Sequence, residues 1–173
     1  MSAACFPVRV VAAKPGESSL ASRLRREVDG EVLFDAASRG RYSTDASIYQ
    51  IEPLGVVVPR TADAARAAIA IAAAESIPIL PRGAGSSQCG QAVGAALVID
   101  HTKYLCQVDV DLENRIAVVQ PGVVLDALNA RLRAHGLWFP VDVSTSAQAT
   151  LGGMAGNNSC GSRSIAYGNM VHN

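Results

Sequence analysis

A chain of 173 residues is long enough for one sizeable domain, or for two small subdomains that share a core. Apolar residues make up 49% of it and charged residues only 17%, a balance that buries a core and excludes disorder. Its 15 basic and 15 acidic side chains cancel and are interspersed, so no basic face follows a nucleic-acid backbone and no polybasic tail holds a membrane.

The opening run CFPVRVVAA is interrupted by Pro7 and Arg9, and no apolar stretch is long enough to span a bilayer. The segment SSLASRLRREVDG predicts a helix with Ser18 or Ser19 as N-cap, with Leu20, Leu24 and Val28 on one face, and with Gly30 at its end. Residues 1–49 are expected to form an N-terminal helical segment. Residues 54–58 (LGVVV) predict a strand ended by Pro59, followed by Thr61 as N-cap of an alanine-rich helix over 62–75. IPIL at 77–80 is the next strand, so a β-α-β unit delivers the chain into PRGAGSSQCGQAVG. ALVID at 96–100 and RIAVVQPG at 115–122 are further strands, and the polar VDVDLENR between them suits a turn, which predicts a mixed or antiparallel sheet. Val124, Leu125, Leu128 and Leu132 fit a helix over 123–135 stopped by Gly136. Residues 140–170 are rich in Gly, Ser, Asn and Thr with little periodicity, as a binding loop would be.

Two glycine-rich stretches carry the functional signal. In Arg82-Gly83-Ala84-Gly85-Ser86-Ser87-Gln88, directly after a strand, backbone N–H groups can converge on a phosphate because glycine tolerates the required angles and adds no side chain. A nucleotide-triphosphatase loop is excluded, since Cys89-Gly90-Gln91 stands where its lysine and Ser/Thr belong. A dinucleotide fingerprint of the G-x-G-x-x-G kind is also excluded: Gln88 occupies the place of its third glycine, and no helix opens there. The competing reading is a plain surface turn. Against it stands the second stretch, ATLGGMAGNNSCG at 149–161, because two such stretches can line two parts of one elongated ligand.

In this order, PRGAGSSQCGQA, VVQPGV, HGLWFPVD and TLGGMAGNNSCGSRSIAYG resemble the PCMH-type FAD-binding domain of the vanillyl-alcohol oxidase and p-cresol methylhydroxylase superfamily, over about residues 50–173. Within it the chain is most similar to the D-lactate, glycolate and D-2-hydroxyglutarate dehydrogenase branch, including large bacterial members with a C-terminal iron–sulfur region. The resemblance implies an α+β fold: a small β-α-β subdomain, then a mixed or antiparallel sheet subdomain with flanking helices. It implies that Arg82 to Gln88 hold the FAD pyrophosphate through backbone N–H groups, with Ser86 and Ser87 adding hydroxyls. It places Pro140, Asp142, Thr150, Gly152, Gly153, Asn157, Cys160 and Gly161 along the ribityl chain and flavin. Some superfamily members attach flavin covalently through a histidine in the pyrophosphate loop; this loop has none, so FAD is expected to be non-covalent.

The resemblance further implies hydride transfer from a 2-hydroxy acid to FAD, then on to an electron acceptor or iron–sulfur partner. In the relatives the groups that clamp and deprotonate the substrate lie in a C-terminal cap, here expected beyond Asn173, so no catalytic side chain is assigned. Two alternatives stay open: a non-catalytic FAD-binding module, and a nucleotide-sugar reductase of the same superfamily. Arg82 either offsets diphosphate charge or serves as a paired surface group. Cys5, Cys89, Cys106 and Cys160 lack the spacing of a zinc site or redox pair, and His101, His135 and His172 lack that of a metal site. Free thiols and a cytoplasmic location are the expectation. Trp138 and Phe139 read as core residues that could also flank the flavin.

Overall fold

The computed structural model describes residues 18–173, so the opening run and Cys5 lie outside the described residues. Helix α1 (Ser19–Glu27) starts as expected: the Ser18 hydroxyl accepts from the Ala21 amide, and Leu20, Ala21 and Leu24 are buried on one face. Gly30 does not stop this helix. The chain is already extended at Val28, and Gly30 opens a short strand, β1 (Gly30–Leu33), where a Cβ would lie 2.6 Å from the Val58 carbonyl oxygen. After the Asp35-capped helix α2 (Ala36–Arg41) come β2 (Gly55–Pro59), helix α3 (Ala62–Ala74) capped by Thr61, β3 (Ile79–Arg82) and β4 (Leu97–Asp100).

These strands form one sheet in the order β1-β2-β4-β3, with β4 inserted between the two strands that α3 connects. β4 is parallel to both neighbours, and β1 is antiparallel at the edge. Every residue of β2 and β4 is buried, as central strands covered on both faces require. Alternation then splits their side chains: Val57, Leu97 and Ile99 pack against α1 and α3, while Val56, Val58 and Val98 meet Leu33, Tyr42, Leu80 and Tyr104 on the other face. Helix α1 thus shares a core with the β-α-β unit.

The pairing expected downstream differs. ALVID belongs to the first sheet, and the supposed turn VDVDLENR contains a strand, β5 (Val108–Asp111), which pairs antiparallel with β6 (Ile116–Val119). The inward side chains Val108, Val110, Ala117 and Val119 cover a second core, formed by Leu125, Leu128 and Leu132 of α4 (Leu125–Arg133) with Val141, Leu151 and Met154. Gly136 ends the turn after α4 with φ +68°. No side chain caps α4. Its first amides donate instead to the carbonyls of Ala149 and Ser146, which fastens the polar segment to the helix. That segment is not a continuous loop: it holds α5 (Leu151–Gly156), α6 (Ser164–Tyr167) and a 3₁₀ turn at Met170–His172. No helix of the described residues is long and apolar enough to cross a membrane.

Candidate functional site

β3 and β4 end together, with Arg82 opposite Asp100. The carboxyl ends of parallel strands are where open sheets place their ligands. Strand β3 runs two residues further than its sequence suggests, so Pro81 and Arg82 belong to the sheet and the loop proper starts at Gly83. Beyond it lies a cleft of about 620 Å³, in the range of small-molecule sites. The loop from Gly83 to Gln88 lines it, as do Thr150, Gly152, Gly153 and Asn157 from the second glycine stretch. The fold thus brings both stretches to one cavity.

The contact between them is tight. A Cβ on Gly83 would collide with Thr150 Oγ1, the atom that caps α5 by accepting from the Gly153 amide. Gly85 sits at φ +68°, and a Cβ there would lie 2.6 Å from Arg82 Nη2. Both positions therefore require glycine, one for space and one for backbone angle.

Hydrogen-bond accounting separates the two stretches. In α5 the first amides are spent inside the chain: Leu151 donates to Val123 O, Gly152 to Pro121 O at 3.0 Å, and Gly153 to Thr150 Oγ1. In the loop, none of the backbone N–H groups from Gly83 to Gln88 donates to another described residue. These unspent amides, in a loop that lines the cleft, are open to solvent or to a bound acceptor.

Arg82 is not available to a ligand's charge in the way its position suggests. Its guanidinium donates to the carbonyls of Ala92 and Thr44, both at 2.8 Å, and of Tyr42 at 3.3 Å, and it lies over the Tyr42 ring. It braces the loop against the segment after α2. The Ser87 hydroxyl is also engaged, donating to Gln91 Oε1.

Pro140, Asp142, Cys160 and Gly161 do not line the cleft. Asp142 is held by Ser162 Oγ at 2.7 Å and by the Arg163 amide at 3.0 Å, which keep its carboxyl below the usual carboxylate range. A Cβ on Gly161 would collide with the Asp142 carbonyl, so that glycine serves a close approach within the chain. Trp138 is 41% exposed, meets Tyr167 edge-on at 5.3 Å and lies under the Arg163 guanidinium, which takes this arginine away from the cleft as well.

Sequence reasoning missed His101. It follows β4, its amide donates to the Arg82 carbonyl at 3.2 Å, and its side chain lines the cleft beside the loop. Its Nδ1 is enclosed without a hydrogen-bond partner, and burial holds the imidazole below its ordinary pKa although neighbouring Asp100 pulls the other way. The available signal was a histidine directly after an apolar strand; knowing that this strand lies beside β3 was needed to use it.

Comparison with known proteins agrees with this geometry. A family described as FAD binding domain matches residues 53–173. The chain is 38% identical over 143 residues to D-2-hydroxyglutarate dehydrogenase of Pantoea ananatis, covering 80% of this chain and 14% of that protein. It is 37% identical over 150 residues to glycolate oxidase subunit GlcD of Bacillus subtilis, covering 82% of this chain and 31% of that one. The chain therefore spans less than a third of the length of these relatives. Among solved structures, an alkyldihydroxyacetonephosphate synthase superposes with a TM-score of 0.79 at 20% identity, covering 95% of this chain and 34% of that one. p-Cresol methylhydroxylase gives 0.64 at 18% identity, covering 81% and 29%. The matched residues contain both glycine stretches and the cleft between them, and the chain belongs to the FAD binding domain family.

Proposed function

We propose that this chain is the FAD-binding part of a flavin-dependent oxidoreductase acting on a 2-hydroxy acid of the D-lactate, glycolate or D-2-hydroxyglutarate type. The observation that carries the reading is the row of unspent amides from Gly83 to Gln88 beside the cleft. Such a row suits a diphosphate, whose oxygens only accept hydrogen bonds, and the missing Cβ atoms of Gly83 and Gly85 allow its close approach. FAD fits the residues present, and when bound it supplies a two-electron acceptor for hydride.

The chain's own residues bind and orient. The loop amides and the Ser86 hydroxyl hold the diphosphate, Arg82 keeps the loop in place through its three carbonyl contacts, and Thr150 fixes α5 against Gly83. The α5 glycines Gly152 and Gly153 line the cleft without side chains, and their amides are already used within the chain. Attachment is non-covalent. A structural neighbour, glucooligosaccharide oxidase from Acremonium strictum, carries a 6-S-cysteinyl, 8α-N1-histidyl FAD, whereas the loop here has no histidine. An electron acceptor or partner protein would be needed to reoxidise the bound cofactor. The exposed free thiols Cys89, Cys106 and Cys160 suit work in a reducing compartment such as the cytoplasm.

A second reading, a flavin-binding module without turnover, is favoured by one observation. Among the described residues, Arg82 and His101 are the cleft's only side chains able to carry positive charge; Arg82 is tied to three backbone carbonyls, and burial disfavours the charged form of His101.

The binding test is titration of purified protein with FAD, FMN and riboflavin, followed by acid precipitation. FAD should bind at least tenfold more tightly than FMN, because only FAD brings a diphosphate to the loop, and ten-fold corresponds to about 1.4 kcal/mol. All flavin should appear in the acid supernatant. Equal affinity for FMN contradicts the role of the loop, and flavin in the pellet contradicts non-covalent attachment.

A further inference from the structure

We propose that His101 is a further cofactor-binding residue, its Nε2–H donating a hydrogen bond to the diphosphate of the bound dinucleotide. The inference rests on the FAD-binding reading above and adds a side chain from outside both glycine stretches.

Position comes first. His101 is the residue that follows β4, and its amide bonds the carbonyl of Arg82, the residue before the loop. The same backbone is pinned from behind, since the His101 carbonyl packs against Gly122, where no Cβ has room. The imidazole is therefore held at the level where the loop begins, and it lines the cleft with Gly83 to Gln88.

The state of the ring follows from its surroundings. Nδ1 is enclosed and reaches no partner in the protein. An enclosed N–H without an acceptor is among the costliest groups to bury, so the proton belongs on the other nitrogen. Asp100, the nearest carboxylate in sequence, offers no alternative: it already accepts from the Tyr42 hydroxyl at 2.6 Å and from the Thr102 amide and hydroxyl at 2.8 and 2.7 Å. Burial keeps the ring neutral despite that carboxylate. A neutral ring with a bare Nδ1 is a fixed single donor at Nε2.

A donor at this place complements the loop. The amides from Gly83 to Gln88 approach a diphosphate from the backbone, and an imidazole N–H adds one side-chain donor without placing a full charge in the cleft. The arrangement also explains why an enclosed, unpartnered nitrogen is retained. A leucine would fill the space and remove the orphan, but it would leave the ligand one donor short.

The experiment measures binding of FAD, ADP and riboflavin to the parent, His101→Leu and His101→Gln proteins, with melting temperatures of the ligand-free forms. A hydrogen bond to a charged group is worth about tenfold to a hundredfold in affinity. His101→Leu should weaken FAD and ADP by about that factor and leave riboflavin, which has no diphosphate, unchanged. His101→Gln, which keeps a donor, should recover most of the loss. Loss of the orphan should raise the melting temperature of His101→Leu by about 2–5 °C. Parent-like FAD and ADP binding by His101→Leu overturns the inference while leaving the FAD site standing; so does equal weakening of all three ligands, the mark of a packing role. A parent protein that binds no FAD removes the underlying reading instead, and this one with it. Imidazole nitrogen NMR of the parent adds an arm that needs no variant. His101 should show an Nε2–H tautomer whose resonance shifts on ADP saturation, and an unmoved resonance overturns the inference.

Discussion

At Gly83 and Gly85 the backbone is constrained by two different neighbours, so two substitutions of the same kind should fail for different reasons. Gly83→Val pushes against Thr150 Oγ1 and loosens the cap of α5. Gly85→Val places a β-branched residue at φ +68°, where a non-glycine costs about 1–2 kcal/mol and branching adds to it, and it also presses on the Arg82 guanidinium. Both variants should bind FAD about tenfold or more weakly by flavin fluorescence titration. Cys89→Ser is the control, because that thiol is exposed and serine has nearly its shape. If the two valine variants titrate like the parent, the loop is an ordinary turn. Arg82 shows the limit of reading charge from sequence. Its type and place suggested a partner for phosphate, yet three carbonyls from residues 42, 44 and 92 hold it, and none of those contacts is local in sequence.

Between elements, one joint at the end of the central strand is Tyr42, just after α2, against Asp100 at the end of β4. Burial and the adjacent carboxylate push the Tyr42 hydroxyl above its usual pKa, so it remains a donor throughout the working range. Tyr42→Phe should leave the buried Asp100 with only its Thr102 contacts and lower stability by about 1–3 kcal/mol in urea unfolding. An unchanged midpoint would show that water replaces the hydroxyl. Elements of this kind were the hardest to read. Helices α1 and α3 were legible from Ser18, Thr61 and their apolar spacing, and the glycine loop from its place after a strand. Helix α2 is six residues with Gly40 inside, too short for a period to register; its one signal was Asp35, whose carboxylate accepts from the Ser38 amide. β5 did carry alternation, with Val108 and Val110 turned inward, but Asp109 and Asp111 gave it the polarity of a turn. Assigning 96–100 to a pairing with 115–122 then moved β4 out of the first sheet and hid His101 from the site.

Across the whole molecule, the cleft lies between the four-stranded sheet, through Leu80 and the loop after β3, and the unit of the β5–β6 hairpin with α4 and α5, through Val143, Ala149 and Met154. The loop after β3 belongs to the first and α5 to the second, so the cleft exists only when both have formed. That architecture binds an elongated cofactor well, yet oxidation of a hydroxy acid asks for more. The alcohol carbon must be held in a productive orientation, and a positioned base must take the hydroxyl proton. Among the described residues lining the cleft, the one permanent cation is tied to three carbonyls and the one imidazole is enclosed at Nδ1, so neither serves as a free carboxylate clamp. Arg163, the other arginine near the second glycine stretch, is stacked on Trp138 away from it. The 173-residue chain should accordingly bind FAD without oxidising D-lactate, glycolate or D-2-hydroxyglutarate. The measurement is anaerobic mixing of FAD-loaded protein with each acid while flavin absorbance is followed. Absorbance should hold steady for minutes with all three. Rapid bleaching by any of them would show that a working clamp and base lie within this chain, and would place them on residues that make no part of the cleft described above.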